Sequence, residues 1–398
     1  MLKLIIDENI ALADKAFEQF GIVTLLPGRA ITNNVLKDAD VLIVRSITNV
    51  NEKLLHDTSV KFVGTATIGT DHIDLDFLKK NNITFADAKG CNAFSVAEYI
   101  IAALLKLAVK FDFSLKDKSI GLVGVGNVGS KVASFAEALG MEVLLNDPPL
   151  QRQGDKRNFV GLDEILKCDI ITLHVPLNKD GIDKTYHFFD KKILDKLKDG
   201  AILINSARGS VINNKDLLEA TVNKKLKVIL DVWENEPDIN VDLLKNVLIG
   251  TPHIAGYSYE GKVNGSRIVY NSLCDFLGAE KSFPFHLEFP QNSTKDFAKP
   301  DSIEPELEKL VSSIYSIQED DLRMRKMLTL NKEEQINYFD LQRKNYPIRR
   351  EFNNYTLVSD LLNNREMNLL KKLRFNLLYL FYFYLEFLSN LNSIGIII

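Results

Sequence analysis

A glycine-rich turn between a strand and a helix constrains the fold of this chain more than any other feature. Residues 121–129 read GLVGVGNVG, which places the pattern GxGxxG at Gly124, Gly126 and Gly129. An apolar run precedes the turn at residues 119–123, and a helical pattern follows it at residues 130–139. The first glycine permits a tight turn, the second lets a ligand approach the backbone, and the third lets the helix pack closely on the sheet. We therefore predict a βαβ unit whose helix N-terminus faces an anionic ligand.

The same alternation of strand and helix extends over most of the chain. Short apolar runs in the first quarter read as parallel strands at residues 2–6, 41–44, 61–63 and 83–85, with a helix at 11–20. A second series of strands is predicted at residues 119–123, 142–146, 169–174, 201–205, 227–231 and 247–249. Long helices are predicted at 95–109 and 260–277, and Asp71 and His72 read as a helix N-terminal cap. The pattern predicts an α/β fold of two doubly wound parallel-sheet, Rossmann-like domains with a cleft between them.

Composition and charge exclude several classes of protein. The 398 residues carry a net charge of -4 with both signs spread along the chain, so no basic field for nucleic acid is expected. The three cysteines, Cys91, Cys168 and Cys274, form no CxxC pair and have no histidines at ligand spacing, so neither a disulfide framework nor a metal site is predicted. The N-terminus turns polar at Asp7, too early for a signal peptide. We expect a cytoplasmic protein with a small-molecule partner and with no nucleic-acid or membrane partner.

The strand that follows the glycine-rich turn identifies the ligand. It ends at Asn146 and Asp147, about the separation from the turn at which an acidic residue binds the adenosine ribose of a dinucleotide. A carboxylate there accepts hydrogen bonds from the ribose hydroxyls and repels a 2′-phosphate, and no arginine is adjacent in sequence. The cofactor predicted is NAD rather than NADP.

Three later strand ends carry polar residues that can converge on one site. Arg208 follows the strand at 201–205, Glu236 follows the strand at 227–231, and His253 follows the strand at 247–249. Arg208 can hold a substrate carboxylate by a bidentate pair. His253 can take a hydroxyl proton as general base while Glu236 orients its ring and raises its pKa. We predict these three as catalytic residues.

These segments, together with His174-Val-Pro176, resemble the D-2-hydroxyacid dehydrogenase family, whose arginine, glutamate and histidine match Arg208, Glu236 and His253. Further similarity, to a branch of that family with a phosphorylated substrate, covers residues 7–9, 44–46, 62–67, 69–72, 90–93, 253–257, 339–346 and 349–351. The resemblance implies NAD-dependent oxidation of a small phosphorylated hydroxy acid. The expected reaction converts 4-phospho-D-erythronate to (R)-3-hydroxy-2-oxo-4-phosphooxybutanoate, in pyridoxal 5′-phosphate biosynthesis.

The same resemblance implies the residues of the binding sites. Ser46, Thr67 and Tyr257 are expected to contact substrate. With the glycine-rich turn, it predicts an NAD site lined by Gly124, Gly126, Asn127, Val128, Gly129, Asp147, Ser206, Ala207, Arg208, Asp231 and Gly256. Arg45, Ser46 and Lys53 follow the strand at 41–44 and are candidates for the phosphate, although we expect Lys53 to be an ordinary solvated lysine.

The domain organisation follows from these assignments. We expect a discontinuous substrate-binding domain at 1–93 and 258–282, an NAD-binding domain at 94–257, and a small C-terminal α+β domain at 283–375 that, by the resemblance, forms a homodimer. Residues 376–398 form an atypical hydrophobic tail. Its apolar run at 377–385 is nine residues before Glu386, short of the ~20 that span a bilayer, so a helix in a dimer interface or an altered terminus is expected.

Two alternatives remain open on the sequence. A 3-phosphoglycerate dehydrogenase, or another D-2-hydroxyacid dehydrogenase, would share the fold and the three catalytic residues. A protein that binds NAD only to sense redox state would share the fold without turnover, although Arg208, Glu236 and His253 together argue against it.

Overall fold

The computed structural model describes residues 1–287, 290–298, 302–359 and 362–378, and these residues form an α/β fold built on three parallel sheets. The strands, in chain order, are β1 (Leu2–Asp7), β2 (Gly21–Leu26), β3 (Val41–Val44), β4 (Phe62–Thr65), β5 (Thr84–Asp87), β6 (Ser119–Val123), β7 (Glu142–Asn146), β8 (Ile170–Leu173), β9 (Ile202–Asn205), β10 (Lys227–Leu230), β11 (Ile249–Gly250), β12 (Thr294–Asp296), β13 (Thr356–Val358) and β14 (Asn376–Leu378).

Helices connect these strands and cover the sheets. In chain order they are α1 (Ala13–Phe17), α2 (Glu52–Leu55), α3 (Leu75–Lys80), α4 (Ala93–Phe111), α5 (Asn127–Ala138), α6 (Pro148–Arg152), α7 (Leu162–Ile165), α8 (Lys191–Leu194), α9 (Asn214–Asn223), α10 (Val241–Asn246), α11 (Tyr259–Leu277), α12 (Ile303–Ile314), α13 (Ile317–Arg325), α14 (Lys332–Lys344) and α15 (Asn364–Lys372).

The chain divides into two compact units, and unit 1 comprises the described residues of Met1–Ser95 and Gly256–Glu288. Its sheet has the order β2-β1-β3-β4-β5, with every pair of strands parallel. Neighbouring residues of one strand point to opposite faces, so the sheet separates two apolar cores. In β3, for example, Val41 and Ile43 pack with Tyr270 of α11, whereas Leu42 and Val44 pack with Leu78 of α3. Burial on both faces explains the continuous apolar runs in the sequence.

The edge strand β2 was not predicted from the sequence. Among the described strands it pairs with β1 alone, from Leu2↔Gly21 to Asp7↔Leu26, and its residues are exposed or half-buried. An edge strand that buries little apolar surface carries a weak sequence pattern. The predicted cap at Asp71 and His72 was also wrong, because the N-cap of α3 is Asp74, whose carboxylate accepts a hydrogen bond from Phe77 N at 2.9 Å.

Unit 2 comprises the described residues of Val96–Ala255 and Phe289–Ile398. Its larger sheet has the order β11-β10-β9-β8-β6-β7, again with all pairs parallel. The strand order reverses between β6 and β8, and the carboxyl ends of strands at such a switch point are where open α/β sheets bind ligands. The glycine-rich turn follows β6 directly, so the fold places it at this position.

The C-terminal residues belong to unit 2. The small parallel sheet has the order β12-β13-β14. Helices α13 and α14 place Met324 and Phe339 in the same apolar core as Val228 and Leu230 of β10. The first three residues of the predicted hydrophobic tail form β14, and its remainder, residues 379–398, lies outside the described residues. Over the part of the chain that the structure describes, no helix is both long and apolar enough to span a membrane.

Candidate active site

The glycine-rich turn has the geometry that each of its glycines requires. Gly124 has φ +87, and a Cβ there would lie 2.8 Å from the His174 backbone. A Cβ on Gly129 would lie 2.1 Å from the Gly124 carbonyl oxygen, so only glycine lets α5 pack this closely. Gly126, by contrast, faces open space. It is the N-cap of α5, no side chain caps the helix, and Asn127 and Val128 form its first turn, so the N-terminal N–H groups remain available for a phosphate.

Asp147 connects the end of β7 to this turn. Its Oδ2 accepts a hydrogen bond from Val125 N at 2.7 Å, and its Oδ1 accepts one from Leu150 N at 3.1 Å as the N-cap of α6. Arg157 donates to the Val125 carbonyl oxygen at 2.8 Å and forms an ion pair with Asp155 at 2.7 Å. The structure thus brings Arg157 close to the predicted ribose acid, since both bind the backbone of Val125. The Asp155 carboxylate neutralises this arginine.

The loop after β9 carries Ser206, Ala207 and Arg208. Asn205 holds it, because its amide donates to the Arg208 carbonyl oxygen at 2.9 Å and its Oδ1 accepts from Ala207 N at 3.0 Å. Arg208 Nη1 donates to the Ala207 carbonyl oxygen at 2.7 Å. A Cβ on Gly209 would lie 2.0 Å from the Trp233 carbonyl, so the glycine lets this loop touch the loop after β10.

The loops after β10 and β11 bring Glu236 and His253 together. His253 Nδ1 lies 2.8 Å from Glu236 Oε2, and Glu236 Oε1 accepts a hydrogen bond from Trp233 N at 2.8 Å. Burial raises the pKa of Glu236, but the charge and hydrogen bond of His253, the charge of Arg343 and the N–H of Trp233 together outweigh burial, so the net pKa lies below its usual value. Glu236 is therefore a carboxylate at neutral pH and keeps the Nδ1 proton on the imidazole.

Asp231 holds the backbone of the His253 loop. Its buried carboxylate accepts hydrogen bonds from Ile254 N at 2.7 Å, Ala255 N at 2.9 Å and Thr251 Oγ1 at 2.6 Å. His253 itself has φ 58, in the left-handed region, and its N–H donates to the Asp231 carbonyl oxygen at 2.7 Å. Burial raises the pKa of Asp231, against the lowering effects of His253 and these donors. The loop conformation that presents His253 thus depends on Asp231.

Arg349 supports the same loop from the C-terminal residues of unit 2. Its Nη1 donates to the Ala255 carbonyl oxygen at 3.0 Å, and its guanidinium lies 3.9 Å from the Tyr315 ring centroid. Nearby, Arg374 bridges two buried carboxylates, 2.8 Å from Glu351 and 3.5 Å from Glu98. The C-terminal residues therefore contribute directly to the loop that carries His253.

The residues predicted to contact substrate lie in unit 1. Thr67 Oγ1 lies 2.8 Å from Thr65 Oγ1 and donates to the Gly69 carbonyl oxygen at 3.2 Å. Ser46 is exposed in the turn after β3. Tyr257 accepts a hydrogen bond from Arg45 Nη2 at 3.3 Å. Lys53 is exposed on α2.

Gly256, which was predicted for the NAD site, begins the second segment of unit 1. A Cβ there would lie 2.1 Å from the Asn92 side-chain amide, so glycine is needed for this close approach. The Oδ1 of Asn92 is buried and has no hydrogen-bond partner among the residues that the structure describes.

Sequence reasoning missed several residues that shape these sites. Asn205 holds Ala207 and Arg208 of its own loop, and Lys262 contacts the nearby Tyr257. Thr251 and Arg349, by contrast, contact residues 20 and 94 positions away in sequence. The only local signal was that Asn205 and Thr251 stand at strand ends.

The residues of unit 2 fit a dinucleotide. Open space at Gly126 would admit a pyrophosphate. The buried Ser206 Oγ has no hydrogen-bond partner among the described residues. Asp147 stands directly after β7, the position at which dinucleotide-binding folds hold the adenosine ribose.

Within the described ranges, no group of three or more His, Cys, Asp or Glu side chains could hold a metal ion. Cys91, Cys168 and Cys274 are free and buried.

Comparison with known proteins agrees with this geometry. Residues 106–255 match the family described as D-isomer specific 2-hydroxyacid dehydrogenase, NAD binding domain, and residues 287–373 match a domain of unknown function, DUF3410. A solved D-lactate dehydrogenase from Aquifex aeolicus, complexed with NAD and lactic acid, is 27% identical, with a TM-score of 0.57 over 69% of this chain and 95% of that chain. A 3-phosphoglycerate dehydrogenase from Entamoeba histolytica with bound NAD+ is 26% identical, with a TM-score of 0.61 over 70% of this chain and 95% of that chain.

A curated relative matches almost the whole chain. The erythronate-4-phosphate dehydrogenase of Escherichia coli O127:H6 is 45% identical over 378 residues, which are 94% of this chain and 98% of the relative. That similarity includes the C-terminal residues. The chain therefore belongs to the D-isomer specific 2-hydroxyacid dehydrogenase family and, within it, to the family of the erythronate-4-phosphate dehydrogenases.

Proposed function

We propose that this protein oxidises 4-phospho-D-erythronate with NAD to (R)-3-hydroxy-2-oxo-4-phosphooxybutanoate. The observation that carries the proposal is the pair of Glu236 Oε2 and His253 Nδ1 at 2.8 Å, in the same compact unit as the glycine-rich turn. Oxidation of a hydroxyl group requires a base that accepts its proton, and a histidine held by a carboxylate can serve as that base. Two buried supports, Asp231 and Arg349, hold the loop that carries it.

The roles of the residues follow from this geometry. Because Glu236 accepts the Nδ1 hydrogen bond, His253 Nε2 has the lone pair that takes the proton of the substrate 2-hydroxyl. Arg208 binds the substrate carboxylate by charge-assisted hydrogen bonds and polarises the 2-oxo group as it forms. NAD, when bound, accepts the hydride that leaves C2. The α5 N-terminus, Asp147 and Ser206 would hold that cofactor.

The identity of the substrate rests on similarity. The relative that covers 94% of the chain at 45% identity is named for erythronate-4-phosphate, whereas the structure of a 3-phosphoglycerate dehydrogenase covers 70% at 26%. The alternative substrate is therefore 3-phosphoglycerate, which is shorter by one carbon. We place the reaction in pyridoxal 5′-phosphate biosynthesis, as the resemblance implies.

NADH formation by the purified protein tests the substrate. We would compare 4-phospho-D-erythronate, 3-phosphoglycerate, D-lactate and glycerate under identical conditions. We expect the highest kcat/KM with 4-phospho-D-erythronate. Binding of its phosphate, remote from the reacting carbon, would hold C2 in position for hydride transfer. A higher kcat/KM for 3-phosphoglycerate would make the alternative correct. Tight NADH binding without turnover of any hydroxy acid would support the redox sensor.

We also propose a homodimer formed through the C-terminal residues and a cytoplasmic location. Three apolar side chains there are strongly exposed: Leu322 at 54%, Leu341 at 51% and Ile348 at 80%. Exposed apolar side chains in one region favour an interface. Light scattering of the purified protein, with Ile348→Asp as the disrupting variant, tests the dimer, and a monomeric wild type would contradict it.

The proposed cytoplasmic location is supported by the three buried free cysteines, which are compatible with a reducing compartment.

A further inference from the structure

Two cations in unit 1 lie against the same tyrosine. Arg45, directly after β3, donates from Nη2 to Tyr257 Oη at 3.3 Å, and its guanidinium carbon lies 6.0 Å from the ring centroid. Lys262, in the first turn of α11, places Nζ 5.1 Å from the same centroid. The three residues come from the end of a strand, the chain before a helix and the helix itself. Tyr257 therefore brings together two positive charges that are far apart in sequence.

Neither cation has a carboxylate partner in the part of the chain that the structure describes. Among residues 1–287, 290–298, 302–359 and 362–378, no carboxylate lies within 4.0 Å of the charged nitrogens of Arg45 or Lys262. Both side chains are half-buried. Loss of hydration and then the charge of Arg45 lower the pKa of Lys262, with a smaller opposing effect of Tyr257. Two half-buried like charges without a counter-ion are costly, and sites of this kind are enriched in functional positions.

We propose that Arg45 and Lys262, held by Tyr257, form a fork that binds the phosphate group of the substrate. This inference rests on the proposed function and adds Lys262 as a specificity-determining residue. A phosphate carries about -1.5 to -2 charges at pH 7, so it matches two cations, whereas a carboxylate carries one negative charge. Arginine offers a planar pair of donors and lysine a compact point charge, and both bind phosphate oxygens.

The charge arrangement predicts what this fork does to selectivity. Without an anion, Arg45 and Lys262 repel each other across Tyr257. A bound phosphate attracts both cations, and these two attractions offset the repulsion between them. An unphosphorylated acid leaves the repulsion in place. The fork therefore favours phosphorylated acids over their unphosphorylated forms, and loss of either charge reduces that preference.

A comparison of two substrates in two variants tests the fork. Lys262→Gln removes the charge, and Lys80→Gln, at an exposed lysine of α3 in the same unit, is the matched control. We expect Lys262→Gln to lower kcat/KM for 4-phospho-D-erythronate by about 10- to 100-fold, the scale of one charge-assisted hydrogen bond, and to change kcat/KM for D-erythronate by less than about threefold. Lys80→Gln should match the wild type with both substrates. Lys262→Arg should recover part of the loss.

Two results would overturn the fork: an unchanged kcat/KM with the phosphorylated acid in Lys262→Gln, or an equal loss with both acids. Failure of the proposed function gives a different result, because the wild type would then not oxidise 4-phospho-D-erythronate. In that case, calorimetric titration with inorganic phosphate decides the matter. Weaker phosphate binding by Lys262→Gln than by Lys80→Gln would support the fork, and equal binding by the two variants would refute it.

Discussion

His253 Nδ1 lies 2.8 Å from Glu236 Oε2, and this single contact determines which nitrogen of the ring can act on a substrate. The lowered pKa of Glu236 keeps its carboxylate charged, so it accepts the Nδ1 proton in a hydrogen bond. The lone pair is then on Nε2. Because Asp231 holds the His253 loop through Ile254 and Ala255, the ring position does not depend on Glu236 alone.

Replacement of His253 by Asn removes the base while keeping a polar side chain. We expect kcat to fall by about two to four orders of magnitude, the usual contribution of general base catalysis. NADH binding, followed by fluorescence titration, should stay within about threefold of the wild type, because the cofactor is held by other residues. A near-normal rate at neutral pH would exclude His253 as the base.

Asp147→Asn tests the choice between NAD and NADP. The asparagine keeps an oxygen that can accept from Val125 N or Leu150 N, so the turn and the α6 cap are disturbed less than by alanine. The charge that repels a 2′-phosphate is lost, and we expect the ratio of kcat/KM for NAD to that for NADP to fall by about tenfold or more. If the ratio does not change, Asp147 is not the ribose acid.

Thr251→Val tests the buried hydrogen bonds that support Asp231. Thr251 Oγ1 donates to Asp231 Oδ1 at 2.6 Å, so the Tyr99 hydroxyl, 2.8 Å away, donates to Thr251. Valine has the same shape as threonine, but it leaves Asp231 and Tyr99 each without one hydrogen bond. We expect it to lower the free energy of unfolding by about 1–3 kcal/mol. Denaturant titration measures this change. Thr251→Ser, which keeps the hydroxyl, is the control, and equal stability of the two variants would contradict the prediction.

His174 gives the stability a defined pH dependence. Loss of hydration lowers its pKa from 6.5 to about 3 in the folded protein. Between these values the unfolded chain binds a proton that the folded chain does not, so the contribution of His174 is complete above about pH 6.5 and is lost as pH falls towards 3.

The variant His174→Gln isolates this effect. Thermal unfolding midpoints between pH 7.5 and pH 4 should fall more steeply for the wild type than for the variant, because glutamine does not titrate. A difference between the two proteins that stays constant over this range would show that His174 does not remain neutral in the folded state.

Local sequence patterns were sufficient to predict the features that depend on neighbouring residues. The strands β6 and β7 agree with their predicted bounds, because continuous apolar runs between polar turns specify buried parallel strands. The glycine-rich turn could also be predicted from the sequence, since the spacing of Gly124, Gly126 and Gly129 reflects local backbone geometry. The proximity of Glu236 and His253 was also expected from the sequence, because parallel strands place their carboxyl ends at one edge of a sheet, and the two side chains are in contact. The catalytic roles of Arg208, Glu236 and His253 stay predictions.

The distant residues that support these features could not be predicted from the sequence, because they meet through tertiary packing. The contact of Arg349 with the Ala255 carbonyl oxygen joins residues 94 positions apart, and Arg45 meets Tyr257 across 212 positions. Such pairs depend on how helices and loops pack on the sheets, and no local pattern encodes them. The placement of Lys262 beside the same tyrosine as Arg45 has this origin, since an isolated lysine on a helix has no sequence signal that separates it from a solvated one.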